Sequence, residues 1–243
     1  MKRLAYYLAA GAVLAAAACS STPASGVRPS TPAPTTSSQA PSPASNGVEK
    51  MTARQATHAA VTALSTARTA RVRGTIKSDG KPLSLDMYLS GAGFRGTFTV
   101  QGAPFQIIVM VSGRDFYMKG PAKAWKVAGT PDSIASLVAN RWVKAPADSL
   151  EDMPSLTLKG FTEDMMHAVP ESQVVALASL DSRDVALVTY SDGSMLYVSR
   201  SGPPYPLRYV MAGADGGRMD FSEFGSAVRI APPPGAIDMS NLG

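Results

Sequence analysis

Apolar and polar residues alternate at a period of two in a series of short runs between residues 71 and 118 and again between 174 and 231, which commits those runs to half-buried β-strands rather than helices. Val72, Gly74 and Ile76 alternate with Arg71, Arg73, Thr75 and Lys77, and a turn follows at Asp79-Gly80. Leu83, Leu85, Met87 and Leu89 then alternate with Ser84, Asp86, Tyr88 and Ser90, and residues 94–101 repeat the pattern up to Gly102. Runs joined by such short glycine-containing turns read as an antiparallel meander. Residues 105–111 (FQIIVMV) are apolar on both faces, the pattern of a strand covered on two sides, and a short strand at 116–118 follows Arg114-Asp115. The alternation returns at 174–180, 185–190, 195–200, 206–211, 218–224 and 228–231, with turns at Ser191-Asp192-Gly193 and Gly216-Gly217.

Two segments carry helical spacing instead. Residues 52–70 place Ala56, Ala59, Ala60, Ala63, Leu64 and Ala67 on one side of a helix, a small-residue face able to approach a sheet closely, with Thr52 as its N-cap. In the segment 121–170, Pro131-Asp132-Ser133 opens a run with Ile134, Leu137 and Val138, and Phe161, Met165, Met166 and Val169 form a second piece before Pro170. About eleven strands and few helices give an α+β architecture, in which one large antiparallel sheet curls and buries its apolar face under the helices.

Ahead of this domain the chain has a different character. Lys2 and Arg3 precede an uncharged apolar run, residues 4–18, too short for a bilayer span and suited to a signal peptide. The run ends in Ala16-Ala17-Ala18, directly before Cys19, the single cysteine of the chain. This resembles a lipobox, in which the cysteine is diacylated and becomes the new N-terminus; it departs from the usual pattern in having Ala16 three residues before the cysteine, with Leu14 further upstream. An ordinary cleaved signal with an incidental cysteine competes with this reading, but an unpaired thiol is a reactive liability in an exported protein. Residues 20–49 hold eight serines, four threonines and six prolines and have almost nothing to bury, so residues 19–49 read as a lipidated cysteine and disordered tether. At about 3.1 Å per residue the tether spans at most roughly 90 Å. Serine and threonine beside proline are also the composition of O-glycosylated stalks. A single domain then occupies 50–243.

Chemistry is sparse. One cysteine forms no intramolecular disulfide, and His58 and His167 are too far apart in sequence to seed a metal motif. There is no G-x-S-x-G elbow, no phosphate-binding glycine loop and no H-E-x-x-H. Glu151-Asp152 and Glu163-Asp164 are adjacent pairs, which do not face each other as a glycosidase requires. Of the formal charge of +5, Lys2 and Arg3 supply two, and Arg71, Arg73 and Lys77 lack the interleaved aromatics of a nucleic-acid face. No enzyme activity, cofactor, metal or nucleic-acid partner is expected. The twelve methionines, among them Met87, Met110, Met118, Met165, Met166, Met195, Met211 and Met219, are the more telling residues. Flexible thioethers suit a cavity for variable apolar ligands, and they also fill gaps in an ordinary core.

Several short motifs stand in an order that resembles the actinobacterial LppX/LprG-like lipoproteins of the LolA/LolB-like superfamily. After the lipobox, tether, helix and meander come Tyr117-Met118-Lys119-Gly120 with Trp125, then Arg141-Trp142-Val143 and Pro204-Tyr205-Pro206-Leu207-Arg208. The closing run from Gly217 to Gly225 and Ala231-Pro232-Pro233 complete the series. The resemblance covers roughly residues 50 to 240 and implies a U-shaped antiparallel half-barrel with helices over its concave side. It further implies an envelope lipoprotein, held in the outer leaflet of the cell membrane through Cys19, that binds an acylated lipid or glycolipid for transport, with an envelope lipid transporter as partner. On that reading the cavity is lined by Leu85, Met87, Leu89, Phe98, Val100, Val109, Val111, Met118, Met165 and Met166. Other family members have closed cavities, so the alternative is a non-transport surface lipoprotein, an adaptor or sensor partner built on a closed half-barrel.

Overall fold

The computed structural model describes residues 44–78, 80–110, 115–145, 158–167, 169, 175–214 and 216–238, all within one unit, Ser42–Gly243. Cys19, the signal segment and most of the tether lie outside the described residues, as do Val111, Glu151 and Asp152. A 3₁₀ turn at Val48–Lys50 leads into α1, Ala53–Ala67. Its start is a capping box: Thr52 Oγ1 accepts from the Gln55 amide at 3.3 Å, and Gln55 Oε1 accepts from the Thr52 amide at 3.0 Å. Arg68, in the left-handed region at φ 64°, ends the helix and turns the chain into the sheet.

Five strands follow in successive antiparallel pairs: β1 (Thr69–Ser78), β2 (Lys81–Ser90), β3 (Gly93–Val100), β4 (Ala103–Met110) and β5 (Asp115–Lys119). Two short helices, α2 (Ala122–Val127) and α3 (Asp132–Val138), precede β6 (Val143–Ala145), which returns to pair with β5. After α4 (Leu158–Met166) a second meander runs through β7 (Ala176–Leu180), β8 (Arg183–Thr189), β9 (Met195–Ser199), β10 (Pro206–Met211) and β11 (Gly217–Ser222). A last strand, β12 (Ile237–Asp238), pairs parallel with β6, the one departure from antiparallel order among the described strands.

All twelve strands form one sheet in the order β12-β6-β5-β4-β3-β2-β1-β11-β10-β9-β8-β7. The two meanders meet at a seam where β1 pairs with β11 from Arg71↔Ser222 to Ile76↔Gly217. Glycine is required there: a Cβ on Gly74 would fall 1.9 Å from the Arg218 carbonyl oxygen, and one on Gly217 would fall 2.4 Å from that of Thr75. Glycine in a strand interior marks such close backbone approach, which here joins the two meanders into one open sheet.

Four expectations change. Residues 228–231 form no strand, because Pro232, Pro233 and Pro234 follow and cannot donate to a ladder. The segment instead passes Arg95, whose Nη1 donates to the Arg229 carbonyl at 3.1 Å, and continues to β6. β4 is covered on one side only: Phe105, Ile107 and Val109 are buried while Ile108 and Met110 are half-exposed. The six residues of α2 are too few to show a helical period in sequence, and sequence spacing carried no sign of them. Packing also begins before residue 50, since Val48 is fully buried and the Asn46 side chain donates to the Ser199 and Gly202 carbonyls, each at 2.9 Å.

Candidate functional site

The register lines up Phe221, Val72, Met87, Gly96, Ile107 and Met118 as one cross-strand row on the concave face. Helices cover that face. α1 lays Ala56, Thr57, Ala60 and Leu64 against the sheet, and α4 sets Phe161 edge-on to Phe221 with ring centroids 6.1 Å apart. Tyr190, just past β8, donates its hydroxyl to the Met165 carbonyl at 2.7 Å and ties α4 down; burial holds that hydroxyl well above its ordinary pKa. Over the other meander, Trp125 of α2 meets Phe105 edge-on at 5.2 Å and donates Nε1–H to the Gly120 carbonyl at 3.2 Å.

The residues read as ligand-facing divide into groups. Leu85, Met87, Leu89, Phe98 and Val109 share the concave face, each no more than 5% exposed, and Met165 above them is fully buried. They pack against one another in a continuous apolar cluster. Met118 is half-buried at its margin, Val100 is half-buried at the end of β3, and Val111 lies outside the described residues. Met166 stands elsewhere. Adjacent residues of a helix diverge by about 100°, so with Met165 turned inward Met166 reaches the outer side of the helix layer. There it joins Met51, Arg54, Gln55, His58 and Ala59 around an open groove of about 670 Å³ between α1 and α4. Sequence spacing gave no sign of this groove, because Met51 and Met166 meet only through the packing of α4 beside α1.

The convex face is polar. Arg71 holds Asp86 with both Nε (2.7 Å) and Nη2 (2.9 Å), reaches Glu223 with Nη1 at 2.7 Å, and stands 5.1 Å over the Tyr88 ring. Tyr88 donates its hydroxyl to Glu223 at 2.7 Å, and Arg208 pairs with Asp220 further along. Hydrogen bonds from Arg71 hold the Asp86 and Glu223 carboxyls below the ordinary carboxylate range. Groups with lowered folded-state pKa values stabilise the fold above the unfolded value of about 4 and lose that contribution as pH falls through the folded value. The expected result is a melting temperature that declines below about pH 4, with a shallower decline in Arg71→Gln; identical acid profiles for the two proteins would contradict the assignment.

Among the described residues no three His, Cys, Asp or Glu side chains assemble as a metal site, and no helix is long and apolar enough to cross a membrane. No protein-family model and no curated protein sequence matches the chain. Solved structures do. LprF from Mycobacterium bovis superposes with a TM-score of 0.53 over 75% of this chain and 97% of its own, at 15% identity. The chain has the LprF fold. The Mycobacterium tuberculosis lipoprotein LppX matches over 73% of this chain and 97% of its own, at 12% identity and a TM-score of 0.46. On the match to LprF, the curled sheet with helices over one face is the half-barrel expected from the sequence motifs.

Proposed function

We propose that the chain is an envelope lipoprotein, anchored in the outer leaflet of the cell membrane through Cys19, that binds an acylated lipid and carries it across the envelope with an envelope lipid transporter as partner. The observation that carries this reading is the groove of about 670 Å³ between α1 and α4, with Met51, Ala59 and Met166 as its apolar border and Arg54, Gln55 and His58 as its polar one. Its size lies within the range of about 300–1,000 Å³ that small-molecule sites occupy. At about 0.8 kcal/mol per buried CH₂, a sixteen-carbon chain gains on the order of 10 kcal/mol when fully covered, and an open groove returns the share of that which its walls cover. The LprF fold and the lipobox reading of Cys19 support the same conclusion.

Native mass spectrometry of the full chain from a membrane-containing host tests it. The expected result is co-purifying acyl lipid, depleted in Ala59→Trp, which fills the groove, and in Met166→Asp, which charges it. Apo protein from every host would overturn lipid binding, and undiminished lipid in both variants would overturn the groove as its site. The packed concave face favours a second reading, a closed half-barrel serving as an adaptor, with Leu137 (54% exposed) and Leu177 (65% exposed) as apolar contact points. Apo protein from every host is the outcome expected on that reading.

A further inference from the structure

On the convex face, opposite the helices and independent of any lipid site, lies a second depression of about 310 Å³. β2, β3, β4 and the turn before β6 build it. Tyr88 and Trp142 are its aromatic members, Arg71, Arg95, Thr97 and Gln106 supply polar groups, and the one carboxylate in its lining, Asp86, is already held by Arg71. Register explains their meeting: Tyr88 pairs with Arg95, and Thr97 with Gln106, so four residues of three neighbouring strands fall on one face. Trp142 joins from the chain just ahead of β6, whose Val143 is paired with Met118.

Arg71 and Tyr88 are held in place before any ligand arrives. Arg71 is fixed by its two-nitrogen grip on Asp86 and by Glu223, and Tyr88 by its hydrogen bond to Glu223. Arg95 differs from Arg71. Among the described residues its guanidinium meets no carboxylate and is steadied by the Arg229 carbonyl at 3.1 Å. A guanidinium offers five donors in a planar fork suited to a carboxylate, so this cation has capacity to spare.

Aromatic rings beside planar, multidentate side chains match a pyranose, which has an apolar C–H face and a rim of hydroxyls that both donate and accept. The volume, at the low end of ligand pockets, suits one or two sugar rings. A guanidinium with no carboxylate partner among the described residues, beside an Asp86 already neutralised by Arg71, selects for acid on that sugar. We infer that the convex depression is a binding site for an acidic sugar, a carboxylated pyranose of an envelope glycan, with Arg95 taking the carboxylate and Gln106 and Thr97 the hydroxyls.

The test is a titration of the full chain with D-glucuronate, D-glucose and acetate, followed through the two tryptophan indole N–H resonances. Trp142 reports the site, and Trp125, buried under α2's contact with Phe105, is the internal control. Glucuronate is expected to shift the Trp142 resonance saturably and leave that of Trp125 unmoved, with glucose binding more weakly and acetate without effect. Arg95→Ala is expected to weaken glucuronate at least about tenfold, the scale of one charge-assisted hydrogen-bond pair, and Gln106→Ala to weaken both sugars. Both side chains are exposed, so the variants are expected to fold, which the unchanged Trp125 resonance checks. No saturable shift, an equal response to acetate, or full affinity in Arg95→Ala would each overturn the assignment. None of these outcomes depends on whether the groove between α1 and α4 holds lipid.

Discussion

Replacing Gly74 with valine is expected to cost the domain more than about 3 kcal/mol, since overpacking typically costs 1–3 kcal/mol even where side chains can yield. Here nothing flexible can yield. The atom that a Cβ would strike at 1.9 Å is the backbone carbonyl of Arg218, and the Met219 Cα lies 2.9 Å away. Relief requires β1 and β11 to part, and their pairing is the seam between the two meanders. Urea unfolding followed by circular dichroism measures the loss. Gly91→Ala is the control, because a Cβ there meets open space, and its effect is expected within about 0.5 kcal/mol. A Gly74→Val protein as stable as the parent would show that the seam is not the close backbone approach described.

The second large effect concerns Cys19. If its thiol carries the anchor, Cys19→Ala is expected to move the protein from the detergent-extracted membrane fraction into the soluble fraction. The change is close to all-or-none, because stable anchoring takes two lipid signals and even one acyl chain gives only marginal, reversible binding. No helix among the described residues is long and apolar enough to span a bilayer. Fractionation of cells expressing each form, with metabolic labelling by a palmitate analogue, reads the outcome. Label or membrane retention in the alanine variant would refute the lipobox reading.

Local signals were legible in the sequence and non-local ones were not. The Thr52 cap, the hairpins of the first meander and the Asp192-Gly193 turn each depend on residues within a few positions of one another, and each stands where the pattern put it. The concave face was equally readable, because a period of two sorts Leu85, Met87 and Leu89 from Asp86 and Tyr88 without knowledge of any partner strand. The pairing of β1 with β11 and of β12 with β6 depends on segments distant in the chain, which alternation cannot match to each other. Residues 105–111 misled because apolar composition records what a strand tolerates, whereas burial records what lies over it. The same limit hid both surface sites. Met51 and Met166 border one groove and Tyr88 and Trp142 one depression, and no spacing rule connects members of either pair.

The seam also bears on the order in which the fold is completed. Arg71 and Glu223, which bond across it, are 152 positions apart. Contacts of such separation must meet the entropy of closing a long loop before they return any stabilisation, and sheets dominated by them form slowly. Until residues 217–222 have emerged, β1 has no neighbour on one side and the first meander cannot complete its sheet. A chain whose leading half stays unfinished until nearly the last residues arrive commits to its final form late, when β11 comes to lie beside β1.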